Sequence, residues 1–107
     1  MTAFAQVERR HTPRQLVFMG AECRLGGAAL TGVIRDQSNG GVFFTPTQDG
    51  DIILKKVQLS FEPELGDFVL LTYADENILM RKPATVCWFG YSHEHSCEGL
   101  GLAFVED

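Results

Sequence analysis

The chain has 107 residues, 45% of them hydrophobic and 21% charged, with a formal net charge of −5. That is the make-up of one soluble domain around a single core, and its acidic total excludes an extended nucleic-acid-binding surface, DNA or RNA. No apolar run approaches the roughly 18 residues of a membrane span. The opening MTAFAQVERRHTPRQ lacks the apolar segment and small-residue cleavage site of a signal peptide, so the expected location is the cytosol without membrane insertion.

In chain order, residues 1–14 read as a flexible N-terminal arm closed by Pro13, and residues 15–107 as the folded body. From Gln15 the pattern has period two: Val17, Met19, Ala21, Cys23 and Leu25 fall on one face, with Glu22 and Arg24 on the other, which predicts a strand. Gly26-Gly27 breaks it. Residues 29–35 and 42–46 predict two further strands, joined by the stretch RDQSNGG at 35–41. QDGD at 48–51 is a turn, and 52–61 is apolar and strand-prone. FVLLTY at 68–73 predicts a strand, as does 80–89, where Pro83 requires an edge position or a bulge. Residues 90–99 read as a polar loop and 100–105 as the closing strand. Six or seven short strands with no long 3.6-residue period predict a small antiparallel barrel or sandwich with little helix.

Charge is unevenly placed. Through Arg24 four arginines face two glutamates, a balance of +2, whereas the remainder carries five basic and twelve acidic groups, a balance of −7. A cationic lead segment on an acidic body suits a small, multiply charged anion. Cys23, Cys87 and Cys97 are odd in number and irregular in spacing, which argues against a disulfide framework. Cys23 and Cys87 lie in apolar runs and are expected to be buried.

Two stretches carry chemistry. The arm reads E-R-R-H-T-P-R and places Arg10 and Arg14 four residues apart with Arg9 adjacent. The planar guanidinium fork makes paired hydrogen bonds to a phosphate or to the O6/N7 edge of guanine. Taken alone, such a run is more often a solvated basic tail. The corner D-Q-S-N-G-G supplies the complement. Asp36 can accept from guanine N1–H and N2–H₂ and Ser38 can donate or accept. Gly40 and Gly41 allow positive φ and unobstructed approach of backbone N–H groups to a ligand. Taken alone, it is a bulged hairpin with an Asx-type turn.

Together, R-x-x-x-R and D-Q-S-N-G-G, with strands between them and followed by Val42-Phe43-Phe44 and a W-F…G-L-G-L-A-F ending at 88–104, resemble the PilZ domain, a receptor for cyclic di-GMP. The resemblance implies a six-stranded antiparallel barrel with the ligand on its outer face, bound by Arg9, Arg10, Arg14, Asp36, Ser38, Gly40 and Gly41. Arginine at position 9, just before R-x-x-x-R, implies an intercalated dimer of the ligand. The basic arm, detached from the strand pattern and with three arginines within six residues, is expected to order on binding and to signal to a downstream protein that the sequence does not identify, with no cofactor of its own.

Three other readings compete. His93, His95 and Cys97 share one face if extended, with Cys87 upstream, a donor set that suits Zn²⁺. The paired spacings of structural zinc sites are absent, however, so a solvated loop without metal is expected. A PilZ-like module that binds proteins and no nucleotide is the main alternative, but such a barrel would not require Arg10, Arg14, Asp36 and Ser38. An enzyme is disfavoured: Ser38 and Ser60 have no evident His/Asp partners, no phosphate-binding glycine motif appears, and Asp49, Asp51, Glu62, Glu64 and Asp67 read as turn or surface acids. Trp88 and Phe89 are expected in the core or on a sheet face.

Overall fold

A computed structural model of the chain describes residues 14–48, 51–52 and 63–105. Seven strands occur among the described residues: β1 (Gln15–Leu25), β2 (Ala28–Gln37), β3 (Gly41–Gln48), β4 (Asp51–Ile52), β5 (Phe68–Asp75), β6 (Ile78–Ser92) and β7 (Cys97–Phe104). All pairings are antiparallel. Six strands close on themselves in the order β1-β2-β3-β7-β6-β5 and back to β1, and the two-residue β4 extends β3. The expected six-stranded barrel is therefore the observed fold, and no helix occurs among the described residues. The strand-prone run at 53–61, Arg9, Arg10, Asp49 and Glu62 lie outside them, as does most of the proposed 1–14 arm.

Alternation along β1 dictates the inside and outside of the barrel. Val17, Met19, Ala21, Cys23 and Leu25 turn inward while Leu16, Phe18, Glu22 and Arg24 face out. With Ile34, Phe44, Val69, Leu71, Val86, Leu100 and Leu102 they fill one core. Burial of these side chains is the main stabilising term, at about 1.5–3 kcal/mol for each large aliphatic or aromatic group. Thr45 is fully buried in this core, and its hydroxyl is satisfied by the Cys97 thiol at 3.2 Å.

β6 is longer than its sequence suggested. It runs on through Ser92, so the expected loop over 90–99 shrinks to a four-residue turn at 93–96. The small and polar residues that read as loop instead pair across β6 and β7, from Gly90↔Gly99 to Ser92↔Cys97. Pro83 lies inside β6 opposite Leu70 of β5. Its carbonyl accepts from Val105 N–H on the β7 side, just past the end of β7. A residue's N–H and C=O point the same way in an antiparallel strand. The missing donor of Pro83 therefore falls where β7 has ended, and the expected edge position is a local one.

Bulges shape one side of the barrel. Arg35 is extra between Ile34↔Phe44 and Asp36↔Phe43, and Cys87 is extra between Val86↔Leu102 and Trp88↔Gly101. Each bulge re-aims the residue beyond it. The second also corrects the expectation for Cys87, which is exposed rather than buried, and leaves Trp88 and Phe89 on the outer face.

Candidate functional site

The two bulges flank an open cleft of about 340 Å³ lined by Arg14, Asp36, Ser38, Phe43, Trp88 and His95, among others. That volume is at the low end for a small-molecule site, roughly 300–1,000 Å³. Of the residues nominated from sequence, Arg14, Asp36, Ser38 and Gly41 line it together, though Arg14 and Asp36 are 22 positions apart. Gly40 stands beside the cleft at the β2–β3 corner, and Arg9 and Arg10 lie outside the described residues.

Asp36 is the electrostatic centre. Its carboxylate, 3% exposed, takes Arg14 at 3.5 Å and the His95 ring nitrogen Nε2 at 2.7 Å, both on Oδ2. Because a carboxylate only accepts, Nε2 carries the hydrogen. The second guanidinium nitrogen of Arg14 reaches Glu94 at 3.2 Å on the cleft rim. Asp36 therefore lies beneath the surface and orients two cation-forming side chains, where the sequence suggested an acid exposed to a base edge.

Phe43 forms the floor. The His95 ring stacks on it at 4.8 Å and 14°, and the Trp88 ring meets it at 5.9 Å and 46°. Two glycines of β7 make this row fit. A Cβ on Gly99 would stand 2.4 Å from the Phe43 ring, and one on Gly101 would stand 3.2 Å from the Trp88 Cβ. The G-L-G-L pattern thus records space for aromatic side chains on neighbouring strands.

The corner glycines differ from expectation. Neither Gly40 nor Gly41 has positive φ. A Cβ on Gly41 would sit 2.0 Å from the Leu102 carbonyl oxygen, so this glycine is required by the β3–β7 seam. Gly40 has open space above it, donates its N–H to Ser38 Oγ at 3.2 Å and accepts from Phe104 N–H at 2.8 Å. The small turn is therefore built by Ser38, whereas the sequence pointed to an Asx turn at Asp36.

The zinc set read from sequence does not assemble. His93 packs edge-on against Tyr91, His95 turns to Asp36, and Cys97 turns to Thr45 and Arg35. Asp36, Glu94 and His95 do bring donor atoms within 4.8 Å of one another, but Arg14 bridges both carboxylates and occupies the position of a cation. Sequence reasoning missed His95, Trp88 and Phe43 as cleft residues. Only the strand register and the Cys87 bulge bring them beside Asp36.

A family model described as the PilZ domain matches residues 8–107. Among solved structures, the chain is similar to the Bacillus subtilis inhibitor of motility (MotI/DgrA), at 18% identity and a TM-score of 0.66 over 92% of this chain and 43% of that one. It thus spans less than half of that protein's length. It is also similar to the PilZ domain of CeSA from a cellulose-synthesizing bacterium, at 18% identity and a TM-score of 0.59 over 89% of this chain and 83% of that one. No curated protein matches the sequence. Both structural likenesses support the barrel, and the family model covers nearly the whole chain. The chain belongs to the PilZ family, a non-enzymatic receptor family whose members typically bind cyclic di-GMP.

Proposed function

We propose that this chain is a cyclic di-GMP receptor that holds the ligand in the cleft beside Asp36 and passes the signal to a partner protein. One observation carries the reading: Arg14, the second arginine of R-x-x-x-R, converges with Asp36, Ser38 and Gly41 on a single open cleft. A guanidinium held by a buried carboxylate is oriented before the ligand arrives, which reduces the ordering cost of a bidentate contact. Trp88, 41% exposed, offers a ring face to a base. Gly40 leaves open space over the corner into which a phosphate fits. Ser38 adds a hydroxyl at the same corner.

Arg9 and Arg10 supply the remaining positive charge, and Arg9 favours an intercalated ligand pair on the protein. Arg9 and Arg10 are adjacent like charges, so binding of the anion orders the arm ahead of the fixed Arg14 and creates a new surface for the partner. One structural relative is an inhibitor of motility, an output that suits a receptor acting on another protein. Amide exchange in residues 5–14 should slow on binding, and equal rates with and without ligand would refute this switch.

The test is calorimetry with cyclic di-GMP beside linear pGpG. Cyclic di-GMP should bind at micromolar concentration or below with a stoichiometry near two per protein, and pGpG more weakly. Arg14→Ala should weaken binding by at least about tenfold, the worth of one charge-assisted contact. A stoichiometry near one rejects the ligand pair. Absence of binding rejects the receptor reading and leaves the nucleotide-free interaction module.

A further inference from the structure

We infer that His95 is a second cationic contact of the ligand site, an imidazolium that Asp36 holds beside Arg14 and that forms as the anion enters. This inference rests on the receptor reading and adds to it a residue and a proton.

The geometry is that of a positioned base. Nε2 of His95 donates to Asp36 at 2.7 Å, and both side chains are nearly sealed, 5% and 3% exposed. The ring lies flat on Phe43, 4.8 Å between centroids at 14°, and the backbone N–H of His95 is fixed by Ser92 Oγ at 3.2 Å. The ring therefore has one orientation. No described residue hydrogen-bonds Nδ1, and His95 lines the open cleft. The hydrogen on Nε2 is committed to Asp36, so a second proton goes to Nδ1.

The charged and titratable groups around His95 argue for that proton. Asp36 faces it from β2 and Arg14 from the start of β1. Glu94 and His93 share its turn, with Glu94 the closer: its carboxylate is within 4.8 Å of the Asp36 and His95 donor atoms. β3 presents only the Phe43 ring, and β6 presents Ser92, Trp88 and, elsewhere on the cleft wall, the Cys87 thiol, which donates to the Gly101 carbonyl at 3.3 Å. Cys97 of β7 turns away to Thr45 and Arg35. With His95 neutral, Asp36, Arg14 and Glu94 sum to one negative charge, an unfavourable start for a dianion. With His95 protonated the cluster is neutral. A phosphate arriving at Arg14 adds negative charge beside the ring, which favours the imidazolium, so binding takes up a proton.

The experiment is calorimetry with cyclic di-GMP near pH 6 and near pH 8, on the wild type and on His95→Gln, whose amide can still donate to Asp36. The wild type should bind about tenfold more tightly at the lower pH. The variant should bind equally at both, close to the weaker wild-type value. Titration of the wild type near pH 7 in two buffers of different ionisation enthalpy needs no variant, and it should show net proton uptake. Binding by the wild type without pH dependence or proton uptake would overturn the role of His95 and leave the receptor reading standing. So would an unchanged pH dependence in a folded His95→Gln. Absence of binding at both pH values would overturn the receptor reading and this inference with it.

Discussion

Two hairpins of this barrel solve the same problem differently. At the β5–β6 tip, Asp75 pairs with Ile78, and the chain reverses through Glu76 and Asn77 with φ of 51° and 67°. Positive φ at both central residues is the tight turn whose twist matches that of the strands. At the β2–β3 corner, where Asn39-Gly40 is the stronger sequence signal for that turn, neither residue has positive φ. There Ser38 closes the turn, Gly41 lets β3 approach β7, and a bulge at Arg35 buries Asp36 under Arg14 and His95. One hairpin only reverses the chain. The other is built around a charge cluster, and the difference identifies which corner carries the site.

That contrast can be broken by substitution. The largest effect is expected at Gly41→Ala, where the new Cβ meets backbone rather than a movable side chain. Parting the β3–β7 seam should cost about 3 kcal/mol or more, read as a lower urea midpoint.

Next comes the core beneath both corners. Burial raises the Cys23 thiol from 9.0 to about 11. A thiol pushed up in the folded state favours folding below its unfolded value, and this contribution is lost as pH rises from 9.0 towards 11. Stability should fall by about 2 kcal/mol across that window in the wild type. Cys23→Ala, though less stable overall, should show a smaller alkaline loss in parallel denaturant titrations.

A smaller effect of opposite sign is expected at the other hairpin. Glu76 holds a left-handed conformation with no Cβ-free backbone to ease it, so Glu76→Gly should raise stability by roughly 0.5–1 kcal/mol, seen as a higher melting temperature. The smallest stability effect belongs to Gly40→Ala, which meets nothing within 4 Å and needs no special φ. It should change stability by less than about 0.5 kcal/mol yet weaken nucleotide binding, because the added methyl group stands over the backbone at the ligand corner.

Much of this was legible in the sequence, for particular reasons. Alternation from Val17 to Leu25 gave the inward face of β1 directly, because period two maps one-to-one onto a pleated strand. Asp36 and Ser38 are legible because the corner is more polar than a chain reversal needs, and Arg14 joins them only through the resemblance of the paired motifs to the PilZ domain. The end of β6 was not legible, since Gly90, Tyr91 and Ser92 carry no alternation and owe their strand conformation to pairing with β7. His95 reads as part of a solvated loop, and its burial against Asp36 is not legible because that partner is 59 positions away on another strand. Cys87 was misplaced because a bulge reverses the side a residue faces and leaves no local signature. Gly41 was legible as special, but its reason, contact with Leu102, is tertiary.

The most direct test compares the two hairpins in one experiment: amide chemical shifts of the ¹⁵N-labelled protein titrated with cyclic di-GMP. Large changes are expected at Arg14, Asp36, Ser38, Gly40, Trp88 and His95, with none at Glu76 and Asn77. Shifts centred on the β5–β6 tip, or no shifts at saturating nucleotide, would contradict the proposed site.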